Sequence, residues 1–141
     1  MSASAEKLGE GDRVLLTFPA RGDLIVLARL VSSAVSARAG FDIEELEDLR
    51  LAVGELCLLT LQGSDAQHGN LCLELAVRGD AIEVTSTHEG AAAGESTDPE
   101  ADESARLSEQ ILDALVDEHG RERHDGLVRA WLRKRRMGYG E

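Results

Sequence analysis

Residues 48–62, DLRLAVGELCLLTLQ, decide the fold because their apolar positions recur at helical spacing. The pattern extends back to Asp42, and Glu45 follows it at the spacing of a capping box. We therefore predict a helix over about 42–62. Its core stripe is made of Ile43, Leu46, Leu49, Val53 and Leu56.

A second row of this helix carries Glu55 and, one turn later, Leu59. Residues four apart on a helix are neighbours, so both side chains are predicted to face the same space. An acidic residue followed at this distance by an aliphatic one is the feature on which the functional interpretation depends.

The segments around this helix alternate between strand and helix patterns. Upstream, a strand is predicted over 13–20 and an amphipathic helix over 24–39, with Asp23 as its N-cap and Gly40 as its stop. Downstream, the patterns predict a hairpin over 71–88, a helix over about 104–118, and a last hairpin that turns at His124-Asp125-Gly126. Antiparallel hairpins separated by helices indicate an α+β fold with helices on one face of the sheet.

The composition is that of one acidic globular domain. Of 141 residues, 43% are hydrophobic but only 3% aromatic, so the core must be aliphatic. Fifteen basic residues against 27 acidic ones give a formal charge of −12. Such a charge favours basic protein partners. It argues against a nucleic-acid-binding protein, because binding to phosphates requires a cationic surface.

One segment is far more acidic than the rest. Residues 89–104, EGAAAGESTDPEADES, contain six acidic residues, no basic one, two glycines and a proline. This composition predicts a mobile acidic loop.

The end of the chain is basic instead, with seven basic residues against two acidic ones over 121–136. Nucleic-acid binding is a weak option here because few aromatic residues are interleaved. A basic edge strand is more often a device against aggregation. We therefore expect no direct nucleic-acid partner.

Neither a secretory signal nor a membrane span is visible. The chain starts with the polar sequence MSASAEKLGEGDR, and its longest apolar stretch, LIVLARLV, is broken by Arg29. Cys57 and Cys72 lie in apolar-patterned segments without a Cys-x-x-Cys pair, which indicates buried reduced thiols and no metal site. We expect a cytoplasmic protein without membrane contact.

Three blocks of the sequence together resemble the serine-kinase anti-sigma factors, which belong to the histidine-kinase-like ATPases. The blocks are DLRLAVGELCLLTL, AIEVTSTHEG and ILDALVDEHGRERHDGLVRAWLRKR, in that order. The resemblance implies a two-layer α/β sandwich, with a mostly antiparallel sheet and three helices on one face. It divides the chain into a flexible N-terminus (1–12), an ATPase domain (13–136) with an acidic lid loop (88–104), and a tail (137–141).

The same resemblance implies a function. Proteins of this kind hold ATP between helices under a flexible lid. They bind a sigma factor and phosphorylate a serine on an anti-anti-sigma partner of the STAS fold. The resemblance also implies a homodimer.

The family's first two nucleotide motifs are only partly present. In Glu-x-x-x-Asn the Glu assists catalysis and the Asn binds Mg²⁺; Glu55 matches the Glu, but Leu59 has no lone pair for a hard cation. In Asp-x-Gly-x-Gly, His88 aligns with the adenine-binding Asp, Gly90 with the first Gly and Ala92 with the second. A histidine at a strand end is more often a solvated loop residue than a ligand.

The third motif, Gly-x-Gly before the last helix, corresponds to Arg106 and Ser108, whose side chains would crowd a surface that glycine leaves open. The acidic lid would also repel phosphates. We therefore predict a degenerate nucleotide site, with His88 and Gly90 as vestigial adenine positions. The expected cofactor is none, or weakly bound ATP or ADP, with Mg²⁺ only if nucleotide binds.

Glu55 has a structural interpretation as well. Without a metal ligand beside it, such a glutamate is more often a partly exposed residue paired with Arg50 or Arg29 than a general base.

Two functions stay open at this point. The first is an anti-sigma factor-like regulator of transcription that binds a sigma factor, a STAS-type partner or both, without efficient phosphate transfer. Its helix 24–39 offers a contact face, and its negative charge attracts basic partners. The second is an active protein-serine kinase that uses Glu55 as base, with Mg²⁺ held by phosphates and water alone.

Overall fold

The computed structural model describes residues 7–62, 68–89, 99–124 and 127–137. Three α-helices and five strands are found in these residues. The strands are β1 (Arg13–Pro19), β2 (Asn70–Arg78), β3 (Ala81–Glu89), β4 (Glu118–His124) and β5 (Leu127–Arg135). The helices are α1 (Ile25–Arg38), α2 (Ile43–Leu61) and α3 (Pro99–Leu115).

The strands form one antiparallel sheet in the order β1-β2-β3-β5-β4. Both predicted hairpins are confirmed. In the first, Leu75 lies opposite Val84, and the turn contains Gly79 at a φ of +61°. In the second, His119 lies opposite Leu132. The turn residues of this second hairpin, 125–126, lie outside the described residues.

The core lies between this sheet and the helices. α1 and α2 pack against each other, and α2 also contacts α3, β3 and β5. Alternate strand residues face the helices, as the pleat requires, and are buried there. These buried residues include Phe18, Leu71, Leu73, Leu75, Ile82, Val84, Val128, Ala130 and Leu132. The predicted α+β sandwich with three helices on one face is confirmed.

The start of α2 follows the sequence prediction closely. The Asp42 side chain accepts a hydrogen bond from the backbone N–H of Glu45, and the Glu45 carboxylate accepts one from the N–H of Asp42. Glu45 is buried, and its second oxygen accepts a bond from the N–H of Met137. One carboxylate therefore caps α2 and anchors the chain after β5.

The start of α1 differs from the prediction. Asp23 does not cap the helix: its carboxylate pairs with Arg21 at 2.7 Å, and the residue before α1, Leu24, makes no side-chain cap. A single 3-10 turn over Gly22–Leu24 moves the helix start past Asp23. The predicted stop at Gly40 is confirmed, since its φ of +85° is a conformation that glycine adopts without strain.

Both ends of the predicted lid loop, 88–104, belong to regular elements: β3 runs to Glu89 and α3 begins at Pro99. Residues 90–98 lie outside the described residues. In the predicted flexible N-terminus, the N–H of Leu8 donates to the carbonyl of Arg38. No described helix is both long and apolar enough to span a membrane.

Candidate functional site

Glu55 lies on α2 and faces α3. Its Oε1 accepts a hydrogen bond of 2.9 Å from the Oγ of Ser108, which is only 4% exposed. The predicted pairing of Glu55 with Arg50 or Arg29 is wrong, because Arg50 pairs with Glu47 and Arg29 lies on the α1 side of the helix. A serine at a glycine position of the family motif thus engages the carboxylate that the motif uses in catalysis.

Leu59 follows one turn later on α2 and is 1% exposed, within the hydrophobic core. An aliphatic side chain in a closed apolar cluster supplies no oxygen ligand. An asparagine there would place an amide among hydrocarbon groups, which is costly without hydrogen-bond partners.

His88 is fully buried, so the expectation of a solvated loop residue is wrong. The reason lies in the alternation of side chains along β3. Its even-numbered residues face the helices up to the end of the strand, and His88 is the last of them. The Nε2 of His88 lies 2.7 Å from the carbonyl oxygen of His68. Because a carbonyl can only accept, Nε2 carries the proton in this bond.

A buried polar contact between α2 and β3 was not foreseen from the sequence. The hydroxyls of Thr60 and Ser86 are 2.8 Å apart, and Thr60 also donates to the carbonyl of Cys57 at 2.8 Å. Burial raises the pKa of the Cys57 thiol to about 12, which keeps it protonated and unreactive. Polar residues at core-facing positions of two elements are the signal that could have revealed this contact.

The other described positions of the family motifs differ in burial. Arg106 is exposed on α3, two residues before the buried Ser108. Gly90 and Ala92 lie outside the described residues. Of the sequence-predicted site residues that the structure describes, Glu55 and Ser108 are brought into contact by a hydrogen bond.

The described residues do not match the donor set of a Mg²⁺–nucleotide complex. Leu59 offers no ligand to a metal, Ser108 adds a side chain beside the carboxylate of Glu55, and His88 is folded into the core.

A second cluster lies between α1 and α2. A Cβ placed on Gly54 would be 2.5 Å from the Nε of Arg29, so the guanidinium lies directly on the α2 backbone and any larger residue would displace it. The Nε is buried and, among the described residues, has no hydrogen-bond partner. A glycine in the middle of a helix was a signal for such a close approach.

Apolar side chains are exposed next to this arginine. Val26 and Leu30 on α1 are 48% and 62% exposed, and Leu51 on α2 is 50% exposed. Leu51 and Gly54 are three residues apart and so lie on one face of α2, while Val26 stands three residues before Arg29 on α1. We call Val26, Arg29, Leu30, Leu51 and Gly54 the α1–α2 surface.

Curated relatives of this chain are serine-protein kinases. Serine-protein kinase RsbW of Bacillus pumilus is 31% identical over 83 residues, covering 56% of this chain and 51% of that protein. Its Bacillus subtilis counterpart is 31% identical over 81 residues, covering 56% and 51%. The chain thus spans about half the length of the curated relatives it matches.

A solved structure supports the fold. The RsbU and RsbW domains of Rv1364c from Mycobacterium tuberculosis superpose with a TM-score of 0.68 at 18% identity, covering 89% of this chain and 32% of that one. The family model described as a histidine kinase-like ATPase domain matches residues 18–129. The predicted membership is confirmed: this chain belongs to the histidine kinase-like ATPase domain family.

Proposed function

We propose that this protein is an anti-sigma factor-like regulator that acts by binding other proteins and does not transfer phosphate efficiently. Its partners would be a sigma factor, a STAS-type anti-anti-sigma protein, or both. The proposal rests on the likeness to RsbW kinases combined with a site that does not match a Mg²⁺–nucleotide complex.

The observation that carries the proposal is the hydrogen bond between Ser108 and Glu55. A general base must reach the substrate whose proton it takes. Here the carboxylate is engaged by a neighbouring helix, and the metal-ligand position, Leu59, is closed into the core. The loss of chemistry at two neighbouring positions supports retention of the scaffold for recognition.

The α1–α2 surface supplies the recognition. Binding hot spots are typically arginine or aromatic residues in desolvated settings, surrounded by apolar contacts that exclude water. Arg29 is held in place by the backbone at Gly54, and Val26, Leu30 and Leu51 expose the apolar surroundings. We expect a partner carboxylate or carbonyl group to bind Arg29, while the overall charge of −12 attracts a basic partner over longer distances.

The experiment is a binding measurement with purified sigma factors and STAS-type proteins from the same genome. Arg29→Ala should weaken binding at least tenfold. Arg13→Ala is the matched control, because Arg13 is an exposed arginine paired with Glu74 on β2, outside the α1–α2 surface. If no such protein binds the wild type, or if both variants bind like it, the proposal fails.

An active kinase is the second candidate, because Glu55 is present and half-buried rather than enclosed. Calorimetry with Mg·ATP separates the two functions. Tight binding that persists in Glu55→Ala, together with loss of serine phosphorylation in that variant, would establish the kinase and overturn the proposal.

A further inference from the structure

Several basic side chains of this acidic protein form no ion pair with a carboxylate of the described residues. Other arginines do form such pairs, as Arg133 does with Glu118 and Arg121 with Glu109. Three of the cations without a described carboxylate within 4.0 Å, namely Lys7, Arg38 and Arg136, lie close together in the fold.

The three cations line one cavity. It has a volume of about 590 Å³ and is bounded by the end of α1, the N-terminal segment, the β2–β3 turn and the residue after β5. Cavities of this volume are large enough for a small ligand. The β2–β3 turn is at the opposite end of β3 from His88, so the cavity is separate from the family's nucleotide site.

Backbone hydrogen bonds bring the three cations together. The N–H of Leu8 donates to the carbonyl of Arg38 at 3.0 Å, which sets Lys7 beside the end of α1. The N–H of Arg136 donates to the carbonyl of Asp80 at 2.6 Å, which fixes the third cation beside the β2–β3 turn. These backbone hydrogen bonds therefore hold the three cationic residues close to one another.

Glycines shape the walls of the cavity. A Cβ on Gly40 would lie 3.0 Å from Nη1 of Arg136, so the guanidinium rests against this turn. A Cβ on Gly79 would meet no atom within 4 Å, so the opposite wall is open. The positive φ of both residues favours glycine at each turn.

The acidic residues of the N-terminal segment beside the cavity accept hydrogen bonds from backbone N–H groups. The carboxylate of Glu10 accepts a hydrogen bond from the N–H of Gly79, and that of Asp12 accepts one from Gly9. Asp80, next to the turn, is exposed and is not part of the cavity lining. The cations therefore dominate the inner surface of the cavity.

We propose that this cavity is a binding site for a doubly charged oxyanion, namely phosphate or the phosphate group of a small monoester. Arg38 and Arg136 present guanidinium groups that match phosphate oxygens in pairs, and Lys7 adds a point charge. The site is independent of the proposed anti-sigma function.

Titration with inorganic phosphate tests the site by amide chemical shifts in ¹⁵N-labelled protein, at ionic strength held constant with chloride. We expect saturable shifts at Gly40 and Gly79. In the double variant Arg38→Gln/Arg136→Gln, the dissociation constant should be at least tenfold larger. Arg13→Gln/Arg78→Gln is the matched control, because those arginines pair with Glu74 and Glu83 outside the cavity.

The outcomes are distinguishable. Equal titration curves in wild type, double variant and control would show general surface binding and overturn the proposal, as would the absence of saturable shifts. A parallel titration with glycerol phosphate separates the two sources of the anion. Tighter binding than inorganic phosphate indicates a monoester ligand, and equal or weaker binding indicates phosphate itself.

Discussion

Ser108 on α3 and Glu55 on α2, 53 residues apart in the sequence, are joined by a hydrogen bond of 2.9 Å. The bond links the two helices between which proteins of this family are expected to hold nucleotide. Because Ser108 is buried, water does not readily replace the bond when it is lost.

Ser108→Ala should lower the free energy of unfolding by about 1–2 kcal/mol, because a hydrogen bond from a buried hydroxyl to a carboxylate is removed. Denaturant unfolding measures the change. Ser104→Ala, at an exposed position of the same helix, should stay within about 0.5 kcal/mol of the wild type. Equal effects in the two variants would show that the Ser108–Glu55 bond does not stabilise the α2–α3 contact.

Leu59→Asn should destabilise the protein strongly, by about 3 kcal/mol or more, and should not create tight Mg·ADP binding. The residue is 1% exposed, so the new amide would be buried among aliphatic groups. Thermal unfolding and calorimetry with Mg·ADP check both parts. A stable variant that binds Mg·ADP would show that the position still faces a nucleotide site.

Gly54→Ala should reduce partner affinity about tenfold while changing stability little. The new Cβ displaces the guanidinium of Arg29, whereas alanine itself favours a helix interior by about 1 kcal/mol over glycine. The dissociation constant and the thermal midpoint are measured in parallel. Unchanged affinity would mean that the position of Arg29 is irrelevant to binding.

Alkaline pH should destabilise the protein partly through Cys57. Its pKa is raised by burial from 9.0 to about 12, so between these values the folded protein keeps a proton that the unfolded chain loses. Stability then falls as pH rises, by at most about 1.4 kcal/mol per pH unit. Urea unfolding between pH 8 and 10.5 should show a shallower decline in Cys57→Ala. Parallel curves would place the titrating group elsewhere.

Glu45→Ala should cost about 2 kcal/mol, because one carboxylate accepts hydrogen bonds from the N–H groups of Asp42 and Met137. Glu44→Ala, at the adjacent exposed position, is the control and should have a small effect. Chemical denaturation gives both values. Similar costs at the two positions would indicate a general charge effect at the start of α2 instead of the two specific bonds.

The helices and hairpins could be predicted because their signals are local. The capping box at Asp42 and Glu45, the glycine stop at Gly40 and the alternation over β2 and β3 each act within a few residues. The predicted start of α3 is too late because Pro99 and the acidic residues after it are also typical of loops. Proline and acidic side chains are also favoured in the first turn of a helix.

The contacts of the candidate site could not be predicted because they join distant segments. The sequence placed Glu55 on the correct helix and Ser108 at a glycine position, but their hydrogen bond depends on how α3 packs on α2. The burial of His88 is predictable from the sequence if the alternation of buried and exposed residues along β3 is extended two residues beyond Ser86. The approach of Arg29 to Gly54 cannot be predicted from the sequence, because it depends on the packing of α1 on α2.

The Ser108–Glu55 bond also bears on what the protein can sense. The concentration of a nucleotide varies with the energy state of the cell, whereas Ser108 is part of the chain, so its bond between α3 and α2 requires no ligand. Under the proposed function, a regulator built in this way would not respond to the balance of ATP and ADP. Its effect would then depend on the copy numbers of regulator and sigma factor, because the free sigma factor would be what remains after stoichiometric binding. The response time would be set by synthesis, turnover and partner exchange.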